Sequence, residues 1–547
     1  MRQSIKVFYN GKIYLKKESF CEALIIDKGR IVKSGSSKDL LNEVPSGSEK
    51  IDAGGTLVLP AFYDSHIHLM WTGRRARGIE AAGSKSIEEV ISRGRELIAK
   101  VKPRPLSHIL GDGVNPDQFC EGEKRDLSRE DVDKISTEYP VILNRHCGHI
   151  VYCNSLALKL AGISESAPDV EGGTVEKNEE GRPTGVLREN AAFLARKTIP
   201  DSSPEELKDI FRAAMKRAHS LGICSVGSYD SNGPDFEKIL GVYRSIYDDS
   251  RKAGAPALRV TMQAGISARE DMLDAHLKRG IYLKPLWQDS VWGCFLKMGS
   301  IKLFGDGTLG GRTAWMRQPY RDQPDSSGFP VLEQETLNRF VKKAASGGMQ
   351  VLIHAIGDAG IDAAISAFEG VTQADHNPLR HGIIHCQVTT PGLLERMAKN
   401  RILALVQPIF LSDDMRILES RVGTELASTS YAWRSMHALG VPVSYSTDSP
   451  VSPLDPLPNL QWAVLRATNP SASYNPGEKV DIYTAIDAYT EASAFSGFDE
   501  SSLGRIAPGC LADLIFLDKD IFTIPPEEIH RAKVLRTICA GEVVYEI

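Results

Sequence analysis

One feature narrows the fold of this chain more than any other. Short, almost wholly apolar runs alternate with longer stretches of helical spacing. Runs without polar alternation suit strands covered on both faces, and strands that alternate with helices imply a parallel sheet. The runs lie at 56–63, 222–229, 258–264, 300–305, 349–354, 382–386, 402–407 and 441–447, with helical segments such as 204–221 and 335–347 between them. Eight runs match the number that closes a (β/α)8 barrel. The expected fold class is therefore α/β, a TIM-like barrel over residues 56–504.

The ends of the chain read differently. Residues 5–9, 13–16, 22–27 and 30–34 are short alternating runs, punctuated by Asn10-Gly11 and Lys28-Gly29, which suit tight hairpin turns. Residues 510–517 and 534–545 have the same character, with a turn at Ala540-Gly541. Segments 1–55 and 505–547 are expected to pair in one composite β-sandwich. The stretch after the first barrel run is too long for a single helix. Residues from about 72 to 190 hold further strand-like runs at 107–110 and 141–144 and a turn-rich stretch at 170–173. They are expected to form an inserted subdomain over the mouth of the barrel, where loops build active sites.

Composition removes several functions. Of 547 residues, 42% are hydrophobic and 25% charged, which is an ordinary globular balance. The net charge of -5 offers no basic footprint for nucleic acid, and the short run Arg74-Arg75-Ala76-Arg77 reads as a solvated loop. No apolar run reaches the length of a membrane span, and the polar-apolar alternation at the N-terminus does not suit a signal peptide. Nine cysteines without a regular framework suggest reduced thiols. These features point to a cytoplasmic protein with a small-molecule substrate and leave homo-oligomerisation open.

The chemistry gathers where the apolar runs end. His66 and His68 follow TLVLPAFYD, and residues i and i+2 of a strand project to one side, so two imidazoles there can share an ion. His354 ends MQVLIH, His385 ends GIIH and Asp448 ends VPVSYSTD. A charged residue closing an apolar strand rarely serves packing, because an unpaired buried charge is costly. Lys302, inside GSIKLFGD, must be paired (Asp306 being the nearest candidate), deprotonated or modified. Asp306 and Arg312, in the glycine-rich loop that follows, are candidate substrate contacts or a loop-fixing pair. His146 in the insert and Trp71 just beyond His66-x-His68 are further candidates for the pocket.

In this order, His66-x-His68, Lys302, His354, His385 and Asp448 resemble the ligand set of the amidohydrolase superfamily of metal-dependent hydrolases. IKLFGDGTLGGRTA (301–314), HAIGDAG (354–360), HCQ (385–387), STDSPVSPLDP (446–456) and LGRIAPGCLADLIFLD (503–518) are similar to the branch that contains N-substituted formamide deformylase. The resemblance covers nearly the whole chain. It implies that His66, His68 and Asp448 bind one metal and His354 and His385 a second. Lys302, N-carboxylated by CO2, would bridge the two, and Asp448 would be the catalytic acid–base. Ile384 stands where related chains commonly carry Glu, a departure that concerns substrate class.

The activity implied is hydrolysis of a C–N bond, other than a peptide bond, in an amide-like small molecule. Zinc is the default ion for an imidazole-rich site, one or two per chain, although manganese, iron or nickel also suit such ligands. A mononuclear deaminase of an aminated heterocycle is the alternative enzyme. Such relatives usually lack the strand lysine. A non-catalytic metal-binding regulator is a third reading, and it predicts a degraded ligand set.

Overall fold

The computed structural model describes residues 5–103, 107–145, 150–165, 170, 173–467 and 473–547. Eight parallel strands follow one another in chain order through one sheet: β1 (Phe62–Ile67), β2 (Ile223–Asn232), β3 (Arg259–Gly265), β4 (Gly293–Phe304), β5 (Gln350–Ala355), β6 (Gly382–His385), β7 (Leu403–Val406) and β8 (Val443–Tyr445). At the seam between β8 and β1, Ser65 Oγ donates to Tyr445 O at 2.9 Å. Just beyond it, Asp448 N donates to His66 O at 3.0 Å and His68 N to Ser449 O at 2.8 Å. The result is a nearly closed TIM-like barrel. Helices fill the intervals, and their apolar stripes explain why. In Phe236–Ala253 the buried positions include Phe236, Ile239, Leu240, Tyr243, Ile246 and Tyr247, which recur at spacings of three and four residues.

Two strands depart from the sequence reading. The run 56–63 is not one strand. Leu57–Pro60 lies in a different sheet, the chain crosses over at Ala61, and β1 continues to Ile67, so His66 lies within the strand. β4 begins well before residue 300. Lys297 interrupts the apolar pattern ahead of residue 300, and its ammonium pairs with Asp499 at 2.5 Å, which lets a charge sit in a buried strand.

Both chain ends contribute to a six-stranded sheet ordered Glu542–Glu546, Val534–Cys539, Leu514–Leu517, Leu57–Pro60, Lys12–Lys16, Ser19–Cys21. A four-stranded sheet is N-terminal only. Phe8, Leu24 and Ile26 from that sheet share an apolar core with Val58, Leu514, Phe516 and Ile538 of the other. Lys28-Gly29 turns with both residues at positive φ, as a tight hairpin requires. Asn10-Gly11 does not form the hairpin expected of it, because Lys6–Tyr9 and Lys12–Lys16 belong to different sheets.

The chain divides into two compact units, 1–69 with 215–547, and 70–214. The second unit carries its own six-stranded sheet, ordered Gly173–Lys177, Pro183–Glu189, Ile150–Cys153, Val141–Arg145, Ile109–Val114, Ile79–Glu80. Its central strands Val141–Arg145 and Ile150–Cys153 bury side chains on both faces. Val141, Leu143 and Tyr152 join one apolar cluster, while Ile142, Val151 and Cys153 join another, following the two-residue period of a strand. Arg74 and Arg75, expected in a solvated loop, sit in the last turn of helix Leu69–Ala76, where cations suit the helix dipole. No helix among the described residues is long and apolar enough to cross a membrane.

Candidate metal centre

His66, His68, Lys302, His354, His385 and Asp448 come from β1, β4, β5 and β6 and from the segments that leave β1 and β8. All except His68 are buried. His66 Nε2 and His68 Nε2 lie 3.4 and 3.2 Å from Asp448 Oδ1. The His354 and His385 ring centroids are 4.5 Å apart, and those of His385 and His66 6.2 Å. His385 and Asp448 have φ of 77° and 54°, a region that L residues adopt only where their surroundings enforce it.

The hydrogen bonds around the imidazoles assign their tautomers. Gln263 Nε2 donates to Ser65 O at 2.9 Å, so Gln263 Oε1 is left to accept, and it accepts from His66 Nδ1 at 2.5 Å. The lone pair of His66 is therefore on Nε2, facing Asp448. Gln407 Nε2 donates to Ser446 Oγ at 2.7 Å, and its Oε1 accepts from His385 Nδ1 at 2.8 Å, which again leaves the lone pair on Nε2. His354 donates through Nε2 to Gly307 O at 2.9 Å and keeps its lone pair on Nδ1. Burial holds His66 and His385 well below the usual imidazole range and His354 at about 3, with Lys302 adding to the effect at all three. All three are neutral donors at physiological pH.

Neither glutamine was picked out from the sequence. The signal was present, since both end or nearly end an apolar strand, as the histidines do. Gly227 makes room for one of them: a Cβ there would lie 2.7 Å from Gln263 Nε2 and 2.3 Å from Ser65 O. Asp64 was also missed. It accepts from Thr447 N at 3.0 Å and Thr447 Oγ1 at 2.6 Å, tying β1 to the segment that carries Asp448.

Lys302 is buried, and among the described residues its Nζ makes no hydrogen bond and no ion pair. It lies 5.0 Å from the Phe304 ring centroid. Burial lowers its pKa to about 7, opposed by Asp448. The pairing with Asp306 is not formed. Both oxygens of Asp306 accept backbone N–H groups, from Ile356 at 3.0 Å, Trp315 at 3.0 Å and Gly357 at 2.8 Å. Arg312 holds Asp322 through two bonds of 3.2 and 3.0 Å. Both residues brace the loop after β4, each with its own partners and not as the pair that the loop-fixing reading expected. Trp71 is 48% exposed on helix Leu69–Ala76, and His146 lies outside the described residues.

The family model described as the amidohydrolase family matches residues 49–545. The chain belongs to the amidohydrolase family. This amidohydrolase is 31% identical over 549 residues to the protein named amidohydrolase YtcJ of Bacillus subtilis (strain 168), with 99% of each chain covered. It is 23% identical over 561 residues to N-substituted formamide deformylase of Arthrobacter pascens, covering 100% of this chain and 99% of that one. A crystal structure of an uncharacterized metal-dependent hydrolase from Pyrococcus furiosus superposes with a TM-score of 0.75 at 29% identity, over 95% of this chain and 100% of the other.

A family of metal-dependent hydrolases implies a divalent metal, and the residues present fit one. Asp448 Oδ1 is buried and accepts no hydrogen bond among the described residues, while it faces two imidazole nitrogens. A buried carboxylate oxygen without a donor is costly unless a cation serves it. One carboxylate and two imidazoles are the ligand types that divalent zinc prefers.

Proposed function

We propose that this amidohydrolase cleaves a C–N bond, other than a peptide bond, in a small amide-like molecule. The observation that carries the reading is the donorless Asp448 Oδ1 beside two imidazole nitrogens at the C-terminal end of the barrel. His66, His68 and Asp448 would hold one ion, and His354 and His385 a second. A bound divalent ion lowers the pKa of water toward 7 and polarises a carbonyl. Asp448 would take the proton from the attacking water and return it to the departing nitrogen. Burial keeps a large neutral fraction of Lys302 near pH 7. Its amine can then add CO2, losing one proton, to give an anionic carbamate that would join the two halves of the site. The resemblance to a formamide deformylase supports N-formyl and N-acyl amines as substrates.

One observation favours a second reading, a mononuclear deaminase. Around this site only His66, His68 and Asp448 bring ligand atoms within 4.8 Å of one another among the described residues.

Elemental analysis of the wild type and of Lys302→Ala separates the two. Near two ions per wild-type chain, with turnover of N-formyl or N-acyl amines lost in the variant and partly restored by short carboxylic acids, is the expected result. A single ion that reloading with metal and bicarbonate does not raise, together with ammonia release from aminated heterocycles, would favour the deaminase.

A further inference from the structure

Six rings close a circle at the C-terminal end of the barrel. The His66 and His68 centroids are 5.5 Å apart, His68 and Tyr229 5.4 Å, Tyr229 and Phe304 5.8 Å, and Phe304 and His354 5.4 Å. His354–His385 at 4.5 Å and His385–His66 at 6.2 Å complete it. Four members are the imidazoles proposed as ligands. The other two, Tyr229 and Phe304, are neighbours, so the part of the circle without ligands is one continuous arc.

Beside the proposed ligands, several polar groups around this circle are committed elsewhere. Gln263 and Gln407 hold imidazoles, Asp306 is held by backbone N–H groups, and Asp64 is held by Thr447. Phe304 has no polar side-chain atom. The Tyr229 hydroxyl makes no hydrogen bond among the described residues, and the end of β3 leaves space for it. A Cβ on Gly265 would lie 2.8 Å from both Tyr229 Cε2 and the hydroxyl oxygen. At φ outside the left-handed region, Gly265 is required there by the phenol and by Asn232, whose Oδ1 would lie 2.5 Å from the same Cβ.

We propose that Tyr229 is a catalytic residue that donates its phenolic hydrogen bond to the acyl oxygen of the bound amide. The inference rests on the hydrolase reading and extends it to a residue outside the ligand set. As the oxygen of water bonds to the acyl carbon, the C=O π pair moves onto the acyl oxygen, and the phenol stabilises that charge without giving up its proton. The C–N bond then breaks, and the amine leaves with the proton carried by Asp448. Removing one such donor costs about 10²–10³ in kcat.

Formate, a carboxylate that presents an oxygen where the acyl oxygen would lie, is the probe. It is titrated calorimetrically into metal-loaded wild type and Tyr229→Phe of equal metal content. The expected result is a loss of about tenfold in formate affinity, and of about 10²–10³ in kcat with little change in KM on any N-formyl or N-acyl amine the wild type hydrolyses. Gly265→Ala, which displaces the ring but keeps the hydroxyl, should weaken formate in the same direction. Equal formate affinity in wild type and Tyr229→Phe, no formate binding by the wild type, or an unchanged kcat would overturn the proposal. A wild type that hydrolyses no amide but binds formate through Tyr229 would instead remove the hydrolase reading and leave the donor in place.

Discussion

Gln263 and Gln407 hold His66 and His385 by the same device. An amide whose nitrogen already serves a carbonyl or hydroxyl can offer its neighbour only an acceptor oxygen. Gln263→Leu would strand His66 Nδ1–H in a buried site and free the ring. Metal affinity should fall about 10–100-fold, read by competition with a chelator, while Gln263→Glu keeps the acceptor and most of the affinity. An unchanged affinity in the leucine variant would remove the orienting role. The histidines and Asp448 were legible because imidazoles and carboxylates are conspicuous at the ends of apolar strands. The glutamines were not, since an uncharged amide in the same place is as often ordinary packing. Asp306 shows the opposite limit. Its place in a glycine-rich loop was readable, but charge pattern cannot tell a substrate from three backbone N–H groups as its partner.

At the level of strands, the parallel barrel was legible because strands buried on both faces leave unbroken apolar runs. The same property hid the break at Ala61, where two apolar strands from different sheets join without a polar residue between them. A junction of another kind binds β5 to β6. His381 Nδ1 accepts from Val351 N at 3.0 Å, and its ring stacks on Phe368 at 5.3 Å. Burial lowers its pKa from 6.5 to about 4, and protonation at Nδ1 would also break the hydrogen bond from Val351. Between those values the unfolded chain takes up a proton that the folded chain refuses. Stability contributed by neutral His381 is therefore complete above about pH 6.5 and is lost as pH falls toward 4, with a limiting slope of about 1.4 kcal/mol per pH unit. Unfolding midpoints measured from pH 7 to 4 should decline less steeply in His381→Asn. An identical pH profile for the variant would show that His381 does not carry this dependence.

Across the whole molecule, the terminal sheet is fastened to the barrel by buried polar contacts as well as by apolar packing. The Arg259 guanidinium of β3 pairs with Asp513 and donates to Cys539 Sγ at 3.1 Å, and Thr537 Oγ1 donates to His219 O at 2.7 Å. Asp513→Ala leaves the arginine buried without its carboxylate. It should cost about 3–5 kcal/mol in urea unfolding, and a loss below about 1 kcal/mol would mean that water reaches Arg259. That both chain ends share one sheet could be anticipated from their alternation, but not that Leu57–Pro60, read as barrel strand, joins them. The fastening could not, because Arg259 and Asp513 are distant in sequence and each looks, alone, like a surface charge.

The seam of the barrel also sets an order in time. Asp64 of β1 is tied to Thr447, and His66 and Asp448, 382 positions apart in the chain, meet across the same line. A ribosome releases His66 long before Asp448. In that interval a nascent chain holds only half of the proposed cage, and ion capture there would come within reach only after the final barrel strand has emerged and closed the ring.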